Sequence, residues 1–530
     1  MEQNSEMFIN DQILQLGFEY FITRYGIEFS KKTSVEIGGL NFDTFDQFLA
    51  RLDSVLTVEI YPPLDNKGLP PGRTFSDLTC SAQGFSRAPD NKNSVSPSED
   101  LFRYLGYMFS GNLEPKLKEA DRKERQLLIK TAFSDAYCNN LLCALRVLHD
   151  NEGIPFVFKT FWPEGRPFAV CLTHDVDETK KTYQWLTRPF RLLLAGNFQG
   201  LFLQSRSFYE LIKGKEPYWT FDAVTQMEKK YHCVSSFYFL YETAPSRLTN
   251  RSSWRHLGRK YNFSDKPVTQ LIRALAGQGF EVGLHGSFHS YIDLNLLQKE
   301  KAYLESFLQI TVRGCRQHNL NLSIPETWRI QDQVGLMYDT TLGFNDCVGF
   351  RWGTCLPFHP YDPSLKKHLN LLEIPLVIED LPFFLETDRN ATFLTLCSEV
   401  ARNQGVLTLL WHHNVVNPYE YPGWGVEYEK MIDYVTKKDA WVTSGLNIAQ
   451  WWTEREKAQY HTEFMDNTLT ITYATSPVHL TISHPDTLTF ESIQNATIIK
   501  SDRNCLIIRT QITSDQKKIS LSFKGASNVH

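Results

Sequence analysis

Residues 168–177 read Phe-Ala-Val-Cys-Leu-Thr-His-Asp-Val-Asp: six residues without a charge, then a histidine and two aspartates. The uncharged run does not alternate, so it fits a strand covered on both faces. Working outward, the same rhythm returns at Ser235–Leu240, Phe280–Leu284, Thr311–Cys315, Leu371–Ile378, Val406–Trp411 and Ala440–Thr443. Another strand is expected within Gln331–Phe344. Between these runs lie helical patterns, over Asp265–Gly279, Asp293–Gln309 and Val426–Lys437. Buried strands alternating with helices predict a parallel sheet with helices outside it. Seven or eight such units over 165–455 predict a closed or nearly closed (β/α) barrel, with an open doubly wound sheet as the alternative.

The polar residues gather where such a fold does chemistry. His174, Asp175 and Asp177 follow the first run, and His285 and His289 follow Phe280–Leu284. Arg316 and His318 follow Cys315, and His412, His413 and Asn414 follow Trp411. All stand at the carboxyl ends of parallel strands, the face on which α/β proteins build their sites. Asp175 and Asp177 are two apart and share one side of an extended chain. His285 and His289 are close enough in sequence to reach one ion, and Gly283 and Gly286 leave room beside them. With an aspartate from another strand end, the set suits Zn²⁺ or another first-row divalent ion. Arg316 could orient a carboxylate through its fork. A histidine at position 412 or 413 could donate a proton to a leaving group.

The flanks differ. Residues 1–160 read as an α+β region: a helix near the start, a strand at Leu56–Tyr61, a turn-rich stretch over 62–98, and helix from Ser98 to His149. Residues 460–530 alternate in short runs such as Leu469–Tyr473 and Cys505–Thr510, as in a small β-sandwich. The 530 residues carry 55 Lys and Arg against 60 Asp and Glu, so no global basic field favours nucleic acid. No run of about 18 apolar residues predicts a membrane span. The ten cysteines form no CxxC pair, and with an acidic amino terminus they point to a reducing, cytoplasmic setting.

Four of these motifs, in this order, resemble the polysaccharide deacetylases (NodB-homology domain, carbohydrate esterase family 4). Thr173-His-Asp-Val-Asp177 is similar to their Thr-Phe-Asp-Asp-Gly, and His285-Gly-Ser-Phe-His289 to their two-histidine motif. Arg316 matches their arginine motif and Leu410-Trp-His412 their Leu-x-His. A divergent bacterial branch is nearest, through Leu-Thr-His-Asp-Val-Asp and Gly349-Phe-Arg-Trp-Gly-Thr-Cys-Leu-Pro-Phe358. The carboxylates here are separated by one residue, and the Pro-Tyr of the arginine motif is missing. The resemblance implies a distorted (β/α) barrel of the NodB type. It implies Asp175 as base, His412 as acid and Arg316 in support, with Asp177, His285 and His289 holding one divalent ion, Zn²⁺ by preference. The implied function is removal of acetyl groups from N-acetylated or O-acetylated sugars of a bacterial glycan or its precursor. Another carbon–nitrogen hydrolase acting on a non-sugar amide, or a glycan-binding protein without turnover, is the alternative. Trp352, Tyr421 and Trp424 are candidates to stack on a sugar face.

Overall fold

The computed structural model describes residues 11–525 other than 32–34, 57–77, 82–83, 88–96, 113, 123–124, 127–128, 243–258, 260, 475–476 and 511–516. The expected strand at Leu56–Tyr61 lies outside the described residues beyond Leu56. So does most of the turn-rich stretch that follows it, of which a hairpin pairing Leu78–Ser81 with Gly84–Arg87 is described.

The centre is a nine-stranded sheet in which every pairing is parallel. We number its strands β1 (Ala169–Val176), β2 (Ser236–Leu240), β3 (Glu281–Gly286), β4 (Gly314–Gln317), β5 (Tyr338–Asp339), β6 (Leu372–Glu373), β7 (Ile378–Glu379), β8 (Val406–Leu410) and β9 (Trp441–Thr443). Their order is β6-β5-β4-β3-β2-β1-β8-β7, with β9 beside the first half of β1. All eight residues of β1 are buried, as a strand without alternation requires. β1 also runs three residues past the uncharged stretch, so Asp175 still belongs to the ladder, opposite Tyr238.

The two edge strands are neighbours in sequence. Only Ile374–Val377 separates β6 from β7, so the sheet must curl until its edges nearly meet. Ile374 N donates to Asp339 O (2.9 Å), Leu376 N to Leu342 O (3.0 Å) and Val377 N to Thr408 O (3.2 Å), which stitches both edges without a ladder. The result is a distorted (β/α) barrel. The long run expected at Leu371–Ile378 is thus two short strands and a closing segment. Pro375, which has no N–H, sits in that segment.

Beneath the carboxyl ends the barrel is filled by aromatic and carboxyl groups. Tyr238 Oη and Tyr338 Oη are 2.8 Å apart, and Tyr338 Oη donates to Glu281 at 2.8 Å. Ser236 Oγ and Leu446 N also donate to Glu281 Oε2, at 2.6 and 2.8 Å. Gly283 and Gly314 accommodate the two tyrosines: a Cβ at either would lie 2.5 or 2.3 Å from the ring of Tyr238 or Tyr338.

The flanking regions are not independent of each other or of the barrel. Two four-stranded antiparallel sheets form the C-terminal sandwich, and the strand Phe156–Lys159 completes one of them by pairing with His479–Ser483. Helices Gln12–Tyr25, Pro97–Phe109 and Phe133–Asn151 share one apolar core with the barrel. Among the described residues, no helix is long and apolar enough to cross a membrane.

Candidate active site

Strand ends β1, β3, β4 and β8 bring their polar residues to one mouth. Asp177 leaves β1 beside His285 at the end of β3, with Asp177 Oδ1 3.2 Å from His285 Nε2. His318 opens the turn after β4, and its Nε2 lies 3.7 Å from Asp177 Oδ2. One ligand atom from each of Asp177, His285 and His318 falls within 4.8 Å of the others, close enough for one ion.

The donor chemistry fits a divalent cation. His285 Nδ1 donates to the Arg316 carbonyl at 2.9 Å, which leaves the Nε2 lone pair facing Asp177. His318 turns its Nδ1 toward Glu242 Oε2, 3.4 Å away. A carbonyl or carboxylate behind each imidazole is the usual arrangement around a ligated ion. Asp177 Oδ1 and His318 Nε2 are buried and lack a hydrogen bond of good geometry, a costly state that a cation would relieve. Burial pushes the Asp177 carboxyl up, but Arg259, His318 and His285 together hold it well below the usual range. Burial keeps His318 below the usual imidazole value, whereas at His285 the carboxylates of Asp175 and Asp177 outweigh burial and hold it above that value.

The sequence places His289 among the ligands, and the structure does not. Strand β3 stops at Gly286, and the chain turns before the short helical turn Ser290–Ile292. Phe288 takes the inward position, its ring 6.4 Å from that of His318, and His289 is exposed. Gly286 makes room for a different group from the one expected, since a Cβ there would strike the Gln317 side chain at 2.2 Å. His318 joins this cluster without being among the ligands expected from the sequence, though its signal is present there. It stands two residues after Arg316 at a strand end, so both reach the same side of an extended chain.

Asp175 sits next to this cluster. Arg316, fully buried inside the barrel, donates to Asp175 Oδ1 at 3.0 Å and to Thr173 Oγ1 at 2.8 Å. Its Nε donates to Thr340 O at 3.0 Å, which fixes the plane of the fork. Asp175 Oδ2 is left toward the mouth, 3.6 Å from His285 Nε2.

Across the mouth, His412 follows β8. Its backbone N–H donates to Asp380 Oδ2 (2.6 Å), and its Nδ1 lies 3.0 Å from the same oxygen. Asp380 therefore sets both the position and the orientation of the ring, with Nδ1 toward the carboxylate and Nε2 at the other side. Burial pushes His412 down, but Asp380 outweighs it and lifts the imidazole to about 10. Glu379 beside it is pushed up to about 8 by burial.

His413 behaves in the opposite way. It stacks flat on Phe221 (4.3 Å, 11°), and burial drives it down to about 3. It is a neutral core histidine. His174 is another buried histidine, held between Trp411 O (2.6 Å) and Glu228 Oε1 (2.8 Å).

Of the three aromatic candidates, Trp352 is buried at 1% exposure and its Nε1 donates to Glu114 Oε2 (3.0 Å), so it cannot meet a sugar. Trp424 stacks on Phe384 (3.8 Å) and Tyr421 lies under the Arg188 guanidinium (4.2 Å), both half-buried. The Gly349–Phe358 motif serves the N-terminal region. Asp135 accepts from Thr354 Oγ1 and Cys355 N, both at 2.7 Å, and Ser134 N donates to Gly353 O at 2.9 Å.

No family model and no curated protein matches the sequence. Among solved structures, the chain is similar to one from Mycobacterium smegmatis described as a polysaccharide deacetylase. That match has 17% identity and a TM-score of 0.37, covering 56% of this chain and 94% of that one. The PuuE allantoinase is similar at 14% identity and TM-score 0.36, over 56% and 93% of the two chains. A CE4-family pseudoenzyme from Bacillus anthracis is similar at 12% identity and TM-score 0.27, over 53% and 65%.

Proposed function

We propose that this protein is a metal-dependent hydrolase that removes acetyl groups from N-acetylated or O-acetylated sugars. The observation that carries the proposal is the convergence at one mouth of an ion-sized Asp177–His285–His318 cluster, an arginine-held aspartate and an aspartate-held histidine. These are the parts that acyl transfer to water needs.

Zn²⁺ held by Asp177, His285 and His318 would polarise the acyl carbonyl and make a water more acidic. The chain's own residues do the rest. Arg316 pins Asp175 Oδ1, so Oδ2 is the oxygen that accepts the proton of the attacking water. His412 presents Nε2 to the leaving group, because Nδ1 is taken by Asp380. Lifted to about 10, it carries the proton that a departing amine needs. His285 Nε2 lies 3.6 Å from Asp175 and 3.2 Å from Asp177, so the proposed base and the proposed ion site are side by side. An acetylated amino sugar uses all of these parts, and an ester, whose alkoxide leaves more readily than an amide's amine, depends less on the proton from His412.

The test is elemental mass spectrometry of the purified protein beside His318→Ala and His289→Ala. The expected result is about one zinc per chain in wild type and in His289→Ala, and loss of metal with retained fold in His318→Ala. Acetate release from N-acetylated glucosamine oligomers should follow the metal. Wild type that holds no divalent ion after reloading would overturn the proposal. Ammonia from small amides without acetate would move the activity to another carbon–nitrogen substrate.

A further inference from the structure

The segment between β1 and β2 carries two helices, α1 (Gln184–Leu194) and α2 (Phe198–Ile212), that pack on each other as a hairpin. α1 has no buried residue. Leu186, Phe190, Leu193 and Leu194 stand on one stripe of α1, and Leu186 and Leu194 are 80% and 73% exposed. On α2, Phe198, Phe202, Tyr209 and Ile212 form the matching stripe, with Phe198 73% exposed. Residues this large seldom gather on a free surface without a partner.

Basic residues border this stripe. Residues 184–216 hold Arg188, Arg191, Arg206, Lys213 and Lys215 against Glu210 and Glu216, in a chain whose formal charge is −5. Lys213 and Lys215 pair with Glu210, and Arg188 pairs with Glu420, while Arg191 and Arg206 are exposed. Leu193, Leu194 and Phe198 crowd the tip. Arg206, one turn beyond Phe202, and Lys213, one turn beyond Tyr209, stand back toward the base and lie over those rings at 5.5 and 4.2 Å. An exposed apolar stripe bordered by outward arginines matches a bilayer surface, with hydrocarbon under the stripe and anionic headgroups beside the arginines.

The hairpin is also fixed to the rim of the candidate site. Lys181 Nζ donates to Glu420 Oε1 (2.7 Å) and Gln204 Oε1 (2.6 Å), and Gln204 Nε2 donates to Glu420 Oε2 (3.2 Å). Ser207 also donates to Glu420, which lies in the loop that follows His412.

We propose that the α1–α2 hairpin is a membrane anchor that docks the site's mouth on an anionic lipid surface. Neither helix crosses the bilayer, since 11 and 15 residues are too few. The contact does not depend on the chemistry at the site, so its failure and that of the hydrolase proposal are separable.

The test sediments the full-length protein with phosphatidylcholine vesicles, with and without phosphatidylglycerol. Wild type is expected to bind the anionic vesicles, and less so as salt rises. Leu194→Asp with Phe198→Asp should weaken binding by more than about tenfold. Arg191→Glu with Arg206→Glu should do so about as strongly, and both variants should keep the wild-type circular dichroism and metal content. No vesicle binding by wild type, or equal binding by the tip variant, would overturn the proposal. So would a wild-type dimer that the tip variant makes monomeric, with no lipid bound.

Discussion

His412 and His413 are adjacent in sequence and opposite in behaviour. Asp380 holds His412 up to about 10, so activity that needs this proton should persist until pH rises through that value. Replacing Asp380 with Asn should return the imidazole toward its ordinary value of about 6.5. The falling limb of kcat/KM should then move to near-neutral pH, with the metal retained; a pH profile checks this. His413 is held at about 3 by burial, below its unfolded value. Between the two values the unfolded chain binds the extra proton, so stability rises with pH. The contribution is complete above about pH 6.5 and is lost as pH falls toward 3, a few kcal/mol in total. His413→Gln should flatten that stretch of the stability curve, measured by urea unfolding at several pH values.

Strands and turns explain how far the sequence could be read. β1, β3 and β8 were legible because each is a buried run ending in charge, and their polar ends do meet. The closing segment Ile374–Val377 was not, because an apolar run gives no sign that its middle leaves the ladder. Of the ion-sized cluster, Asp177 and His285 were legible and His318 was not. Spacing alone cannot tell that the turn after Gly286 sends Phe288 inward and His289 out, or that the turn His318–Leu320 keeps His318 at the mouth. The glycines under the site are a further constraint of this kind. Gly314→Ala would press a Cβ to 2.3 Å from the Tyr338 ring and should cost about 1–3 kcal/mol in chemical denaturation. Gly277→Ala, at the end of helix Lys266–Gly277 with nothing within 4 Å, should be neutral or stabilising.

The molecule as a whole is tied together through Asp135, which is fully buried. It accepts from Arg24 Nη1 (2.5 Å), Thr354 Oγ1 and Cys355 N, so one carboxylate joins the first helix, the helix Phe133–Asn151 and a loop of the barrel. Asp135→Ala would strand the buried Arg24 and should cost about 3–5 kcal/mol. Barrel and N-terminal region should then melt together at a lower temperature, as read by tryptophan fluorescence and circular dichroism. The shared sheet adds an element of timing to synthesis. Strand Phe156–Lys159 leaves the ribosome with its ladder edge unsatisfied, and its partner His479–Ser483 is made some 320 residues later. At about 5–20 residues per second that is roughly 16–64 s of waiting. Through that interval the nascent chain presents an open β-edge, and the cell must shield it from pairing with the wrong strand.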